Sequence, residues 1–116
     1  MSLVSGPFEG PCIAVIFTSV RTGADAQGYG ETAEHMVRLA ARQPGFLGVD
    51  SARGPDGLGI TVAYWRDEES IAAWREHAEH AAARQAGRDR WYEEFVVHVT
   101  HVDRSYAFHR PPPTTT

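Results

Sequence analysis

Cysteine is almost missing from this chain: Cys12 is the only one among 116 residues. A lone thiol excludes an intramolecular disulfide and a cysteine-based metal cluster, and it suits a reducing compartment. Long apolar runs are missing too. None approaches the roughly 20 residues that a membrane-spanning helix needs. The opening MSLVSGPFEG has neither the basic region nor the apolar stretch of a secretory signal. These features point to a cytoplasmic protein that does not enter membranes. Nor is there an excess of positive charge. The 11 basic and 15 acidic residues are interspersed and sum to −4, which gives a nucleic-acid backbone nothing to bind.

The hydrophobic share of 42 % and the charged share of 22 % are those of an ordinary globular protein. At this length there is room for one domain and one core. Two glycines and two prolines within residues 1–11 suggest a flexible N-terminal arm, and three prolines followed by three threonines suggest a disordered tail over residues 110–116. A single domain is expected over residues 12–109.

Within it, CIAVIFTSV (residues 12–20) is short and β-branched, hence a strand. Tyr29, Ala33, Met36, Val37 and Ala40 recur at helical spacing, and Pro44-Gly45 ends that helix. Residues 46–53 and 58–65 read as strands joined by the turn Gly54-Pro55-Asp56-Gly57. Asp67 is a good N-cap for a second helix, with Glu68 and Glu69 in its first turn, and Gly87 is a natural stop. A last strand is expected over about 91–108. The order β-α-β-β-α-β predicts an α+β, ferredoxin-like antiparallel sheet with two helices on one face. Its other face should be wet, yet Cys12, Ala14 and Ile16 are as apolar as Ile13, Val15 and Phe17. Packing of two identical sheets would cover that second face, so a homodimer is expected.

Gly28, Gly30 and Ala33, with Asp50 further on, match the spacing of a dinucleotide fingerprint. The preceding strand ends too early and the following strands form a hairpin, so these glycines read as a mobile loop. The segment YWRDEESIAAWREHAEHAAARQAGRDRWY is more informative, because it holds all three tryptophans and two of the six histidines. On a continuous helix Trp74 lies in the buried arc. His77 and Arg84 lie on its flank, and His80 points to solvent. His77 and His80 can reach one ion, but zinc needs a third ligand that the helix does not offer, so no metal is expected. An imidazole ordinarily titrates near neutrality, which makes His77 a candidate base. Trp65, on one sheet face with Ala63 and Thr61, is a candidate pocket wall.

Several motifs together resemble the antibiotic biosynthesis monooxygenase family of small dimeric α+β-barrel proteins. They are Pro44-Gly45-Phe46, Ala63-Tyr64-Trp65, the acidic helix start, Trp74, the His77/His80 pair, Gly87 and Trp91-Tyr92. That resemblance implies three readings. The first is a cofactor-independent oxygenase that uses molecular oxygen on an aromatic or polyketide-like ligand. Its catalytic residues would be His77 and Thr61, and its ligand would be held by Trp65, Trp74, Arg84 and Phe17. Against the quinone-forming members, Trp65 keeps the strand tryptophan, but Thr61 replaces an asparagine and Ile71 a tyrosine. The second reading is therefore a non-catalytic binding or accessory protein of the same fold. The third is haem degradation, in which Trp74 matches but the axial-ligand position falls at Arg84.

Overall fold

The computed structural model describes residues 4–113; the ends of the expected arm and tail, residues 1–3 and 114–116, lie outside the described residues. Strand β1 (Cys12–Arg21) is followed by α1 (Ala26–Ala40), β2 (Phe46–Arg53) and β3 (Leu58–Trp65). Then come α2 (Glu68–Glu76), α3 (Ala78–Ala86), a π-turn (Gly87–Trp91) and β4 (Tyr92–Val102). The sheet order is β2-β3-β1-β4 and all pairings are antiparallel. This is the expected ferredoxin-like α+β arrangement.

Three features depart from the sequence-based expectation. The glycines at 28 and 30 lie inside α1, because Asp25 adopts a left-handed conformation (φ 51°) and its carboxylate accepts the Gly28 N–H at 3.2 Å. That cap begins the helix early enough to include them. The second helix is broken at His77 (φ −58°, ψ 128°), so α2 and α3 are separate. The last strand ends at Val102 rather than near residue 108. Val102 pairs with Cys12, the first residue of β1. Beyond it lies Pro11, which has no N–H to give, and β4 runs out of partner.

Strand register fixes which residues share a face. On the helix side, Ile13 stands beside Trp65, Val15 beside Ala63, Phe17 beside Thr61 and Ser19 beside Gly59. Trp65 and Ser19, near opposite ends of this face, are the most deeply buried large and polar side chains, each 2 % exposed. On the reverse face, Ile60 and Val96 flank Thr18 in one row and are about half exposed, at 48 % and 53 %. The N-terminal arm covers one end of that face. Ser5 N–H donates to Asp50 Oδ1 at 2.8 Å, and the Phe8 ring lies 4.8 Å from that of Tyr64.

Local chemistry explains the helix starts. Asp67 accepts from the Ser70 N–H at 2.8 Å and from the Ser70 hydroxyl at 2.7 Å. Those bonds hold its carboxyl down to about 2. Gly45 needs to be glycine: its φ is +85°, and a Cβ there would meet Ser70 Oγ at 2.0 Å.

Candidate active site

Aromatic rings close one end of the helix-facing side. Phe46 meets Trp65 edge-on at 5.3 Å, Trp65 lies 6.1 Å from Trp74, and Trp74 stacks on His80 at 4.4 Å with only 15° between planes. The stack exists because the helix breaks. Were α2 continuous through His77, His80 would face solvent, as periodicity predicts. The break rephases α3 and brings the ring over Trp74, half-buried.

The His80 tautomer follows from its partner. Nδ1 lies 3.1 Å from the Trp74 carbonyl, which can only accept, so Nδ1 carries the proton in the neutral ring and Nε2 keeps its lone pair. Burial, and then the nearby Arg84, His77 and Arg75 charges, push its pKa down to about 4 despite that hydrogen bond. At neutral pH the ring is thus uncharged and able to accept a proton.

His77 is placed differently. Its Nδ1 accepts the Glu79 N–H at 3.3 Å, capping α3, and its ring centroid is 5.7 Å from that of Trp74. To take up a proton at Nδ1 it would have to release this cap. Arg84 donates from Nη2 to the Arg75 carbonyl at 3.1 Å, while its Nε is buried without a hydrogen-bond partner among the described residues. A buried donor left unpaired costs about 1–3 kcal/mol.

Thr61 and Phe17 sit side by side in the middle of the sheet, both half-buried. The Thr61 hydroxyl shares a 2.8 Å hydrogen bond with Ser51, and Phe17 packs 5.3 Å from both Tyr92 and Phe95. Four residues separate Thr61 from Trp65 along β3, roughly 13 Å. The expected residues therefore form two groups. Trp65, Trp74, His77 and Arg84 gather around His80 at one end, and Thr61 and Phe17 lie along the floor. Ala63 and Val15 fill the row between them.

Periodicity missed His80 because nothing in EHAEH announces a break; neither proline nor glycine is present. It also missed a polar cluster at the far end of the floor, where Tyr92 O–H donates to the Tyr29 hydroxyl at 3.3 Å. Burial and this hydrogen bond push the Tyr92 phenol well above its usual range. Strand alternation does place Arg53 on the helix-facing side with Ser51, which was a usable signal.

The family model for antibiotic biosynthesis monooxygenases matches residues 11–86, which include β1 through α3 and the whole aromatic wall. The chain belongs to that family. It is 55 % identical over 108 residues to the uncharacterized protein YqjZ of Bacillus subtilis, covering 93 % of this chain and 94 % of that one. A second relative, the jasmonate monooxygenase ABM of Pyricularia oryzae, is 37 % identical over 46 residues, 40 % of this chain and 21 % of its own length. Among solved structures, SnoaB, a cofactor-independent oxygenase from Streptomyces nogalater, superposes with a TM-score of 0.63 at 16 % identity. That superposition covers 87 % of this chain and 99 % of SnoaB, and it shows a shared fold.

Proposed function

We propose that the protein is a cofactor-independent monooxygenase, acting in the cytoplasm as a homodimer on an aromatic or polyketide-like phenol held between sheet and helices. One observation carries this reading: the Trp65–Trp74–His80 stack, with a neutral imidazole whose Nε2 lone pair has no partner among the described residues. Family membership and the SnoaB fold support it.

Such chemistry needs a base, a dry cleft and positioning. His80 takes the proton from the phenol, or from its keto tautomer. The difficulty of placing positive charge at His80 is offset by the substrate anion that forms beside it. The electron-rich anion reduces oxygen, and a C–O bond forms to give a hydroperoxide. Loss of water from it leaves a quinone carbonyl, so one oxygen atom stays in the product and the other leaves as water. No external reductant is required. Trp65, Trp74 and Phe17 line the cleft. The Thr61 hydroxyl orients a substrate oxygen, Arg84 braces the wall through its bond to the Arg75 carbonyl, and His77 holds the α2–α3 break that positions His80.

Oxygen uptake with anthrone as the probe tests this. Wild-type protein is expected to consume oxygen above the buffer rate. His80→Ala is expected to lower that rate at least about tenfold, as removal of a general base does, and Trp65→Phe to lower it by loosening the wall. Uptake no faster than buffer contradicts the catalytic reading. Thermal stabilisation by anthrone without turnover would instead favour a binding protein of the same fold.

A further inference from the structure

Opposite the tryptophan wall, the floor ends in two arginines and two tyrosines that the proposed oxygenation does not use. The chain has no lysine; all 11 of its basic residues are arginines. Arg21 lies over the Tyr29 ring with Cζ 3.7 Å from the centroid, and Arg53 Cζ is 5.7 Å from the same centroid. Arg21 donates from Nε to the Trp91 carbonyl at 3.0 Å and from Nη2 to the Ala24 carbonyl at 2.9 Å. Arg53 donates to the Gly57 carbonyl, to Ser19 Oγ at 2.8 Å and to the Tyr29 hydroxyl at 3.3 Å. Every one of these acceptors is neutral. Among the described residues, no carboxylate pairs with either guanidinium.

Two cations held around one ring repel each other, and a cation–π contact at a partly exposed site returns only about 0.5–1 kcal/mol. The arrangement is nonetheless built into the fold. Ser19, which receives Arg53, is almost fully buried, and β3 carries Gly59 where a Cβ would stand 2.5 Å from Arg53 Cζ. Tyr29 oxygen already accepts from Tyr92 and Arg53, which leaves its own proton to donate. Arg21 Nη1 and Arg53 Nε have no acceptor among the described residues. The side chains alongside are aromatic: Phe17, Tyr92 and Phe95.

We propose that Arg21, Arg53 and Tyr29 form an oxyanion-binding end of the cleft, which takes the carboxylate or phenolate of a planar aromatic ligand. The assignment rests on the reading of the helix–sheet cleft as the ligand site, and it narrows the substrate class to molecules bearing an anionic oxygen. Charge-assisted hydrogen bonds from guanidinium and phenol supply the selectivity.

Calorimetric titration of the full chain with 2-naphthoate, and with its neutral isostere 2-naphthamide, tests this. Naphthoate is expected to bind at least about tenfold more tightly. In Arg21→Gln, and in Gly59→Ala, the difference should shrink to under about threefold, because naphthoate loses more affinity than naphthamide. Gly59→Ala keeps every charge and displaces only the Arg53 guanidinium. Equal affinities, binding of neither probe, or a preference that survives both substitutions overturns the assignment. If a variant fails to fold, nitrogen-resolved NMR of the wild type decides. Movement of the arginine Nε–H signals of Arg21 and Arg53 with naphthoate, but not with naphthamide, supports the site, and no movement overturns it. Oxygen uptake is not part of this readout. A naphthoate preference without uptake removes the oxygenase and keeps the anion site, whereas uptake without the preference does the reverse.

Discussion

His80 has the most to explain at the scale of single residues. Its pKa is pushed down to about 4 by burial against Trp74 and by neighbouring positive groups. In the unfolded chain an imidazole titrates near 6.5. Between those values the unfolded state binds a proton that the folded state does not, so stability rises with pH across this window and is fully present above it. The ring is partly solvated, and after allowing for screening the effect is about 1–2 kcal/mol. Urea unfolding at pH 4.5 and pH 7.5 measures it. His80→Phe, which keeps a flat ring against Trp74, should flatten the difference, and an unchanged difference would mean that another group is responsible. With His80 as the proposed base, the same shift would set the acid limb of kcat/KM, which then falls near 4 and not near 6.5.

At the scale of elements, the break between α2 and α3 decides what the site can be. Binary pattern and cap residues gave the order of strands and helices, the hairpin at Gly54–Gly57 and the helix start at Asp67, because these depend on chemistry within a few residues. The break was illegible, since His77 stops one helix and starts the next through its own ring, in a stretch of otherwise good helix formers. The end of β4 was equally hidden. It depends on where β1 begins, a contact 90 positions away in the chain (Cys12 with Val102). The candidate site shares this division. Trp65, Trp74 and Thr61 were readable from alternation and resemblance, whereas His80 and the Arg21–Arg53–Tyr29 cluster required the third dimension. His77 offers a clean test at this scale. His77→Ala removes the cap on the Glu79 N–H and should cost about 1 kcal/mol, whereas His77→Asn, a good cap, should restore stability. Amide hydrogen exchange at Glu79 reports the same bond directly. If His77→Asn restores oxygen uptake along with the cap, its role is positioning; a stable but inactive Asn variant would make His77 itself the base.

For the molecule as a whole, the reverse side of the sheet is unfinished in one chain. Ile60 and Val96 are half exposed in a row with Thr18, and Leu58 is 47 % exposed in the next row. Exposed apolar side chains at these sheet positions are what the proposed homodimer would cover. Sedimentation should give twice the 12.8 kDa chain mass, and Ile60→Glu with Val96→Glu should give a folded monomer. A wild-type monomer would contradict the homodimer. The proposed ligand site lies on the other side of the sheet, between the Trp65–Trp74–His80 wall and the arginine–tyrosine end. Whether the protein is an oxygenase is decided by what this side of the sheet does with oxygen. The most direct measurement is mass spectrometry of the product formed from anthrone under ¹⁸O₂ by protein freed of metal and flavin. The predicted result is one labelled oxygen in the quinone and the other in water. Quinone without label, or no product above the spontaneous rate, would contradict it.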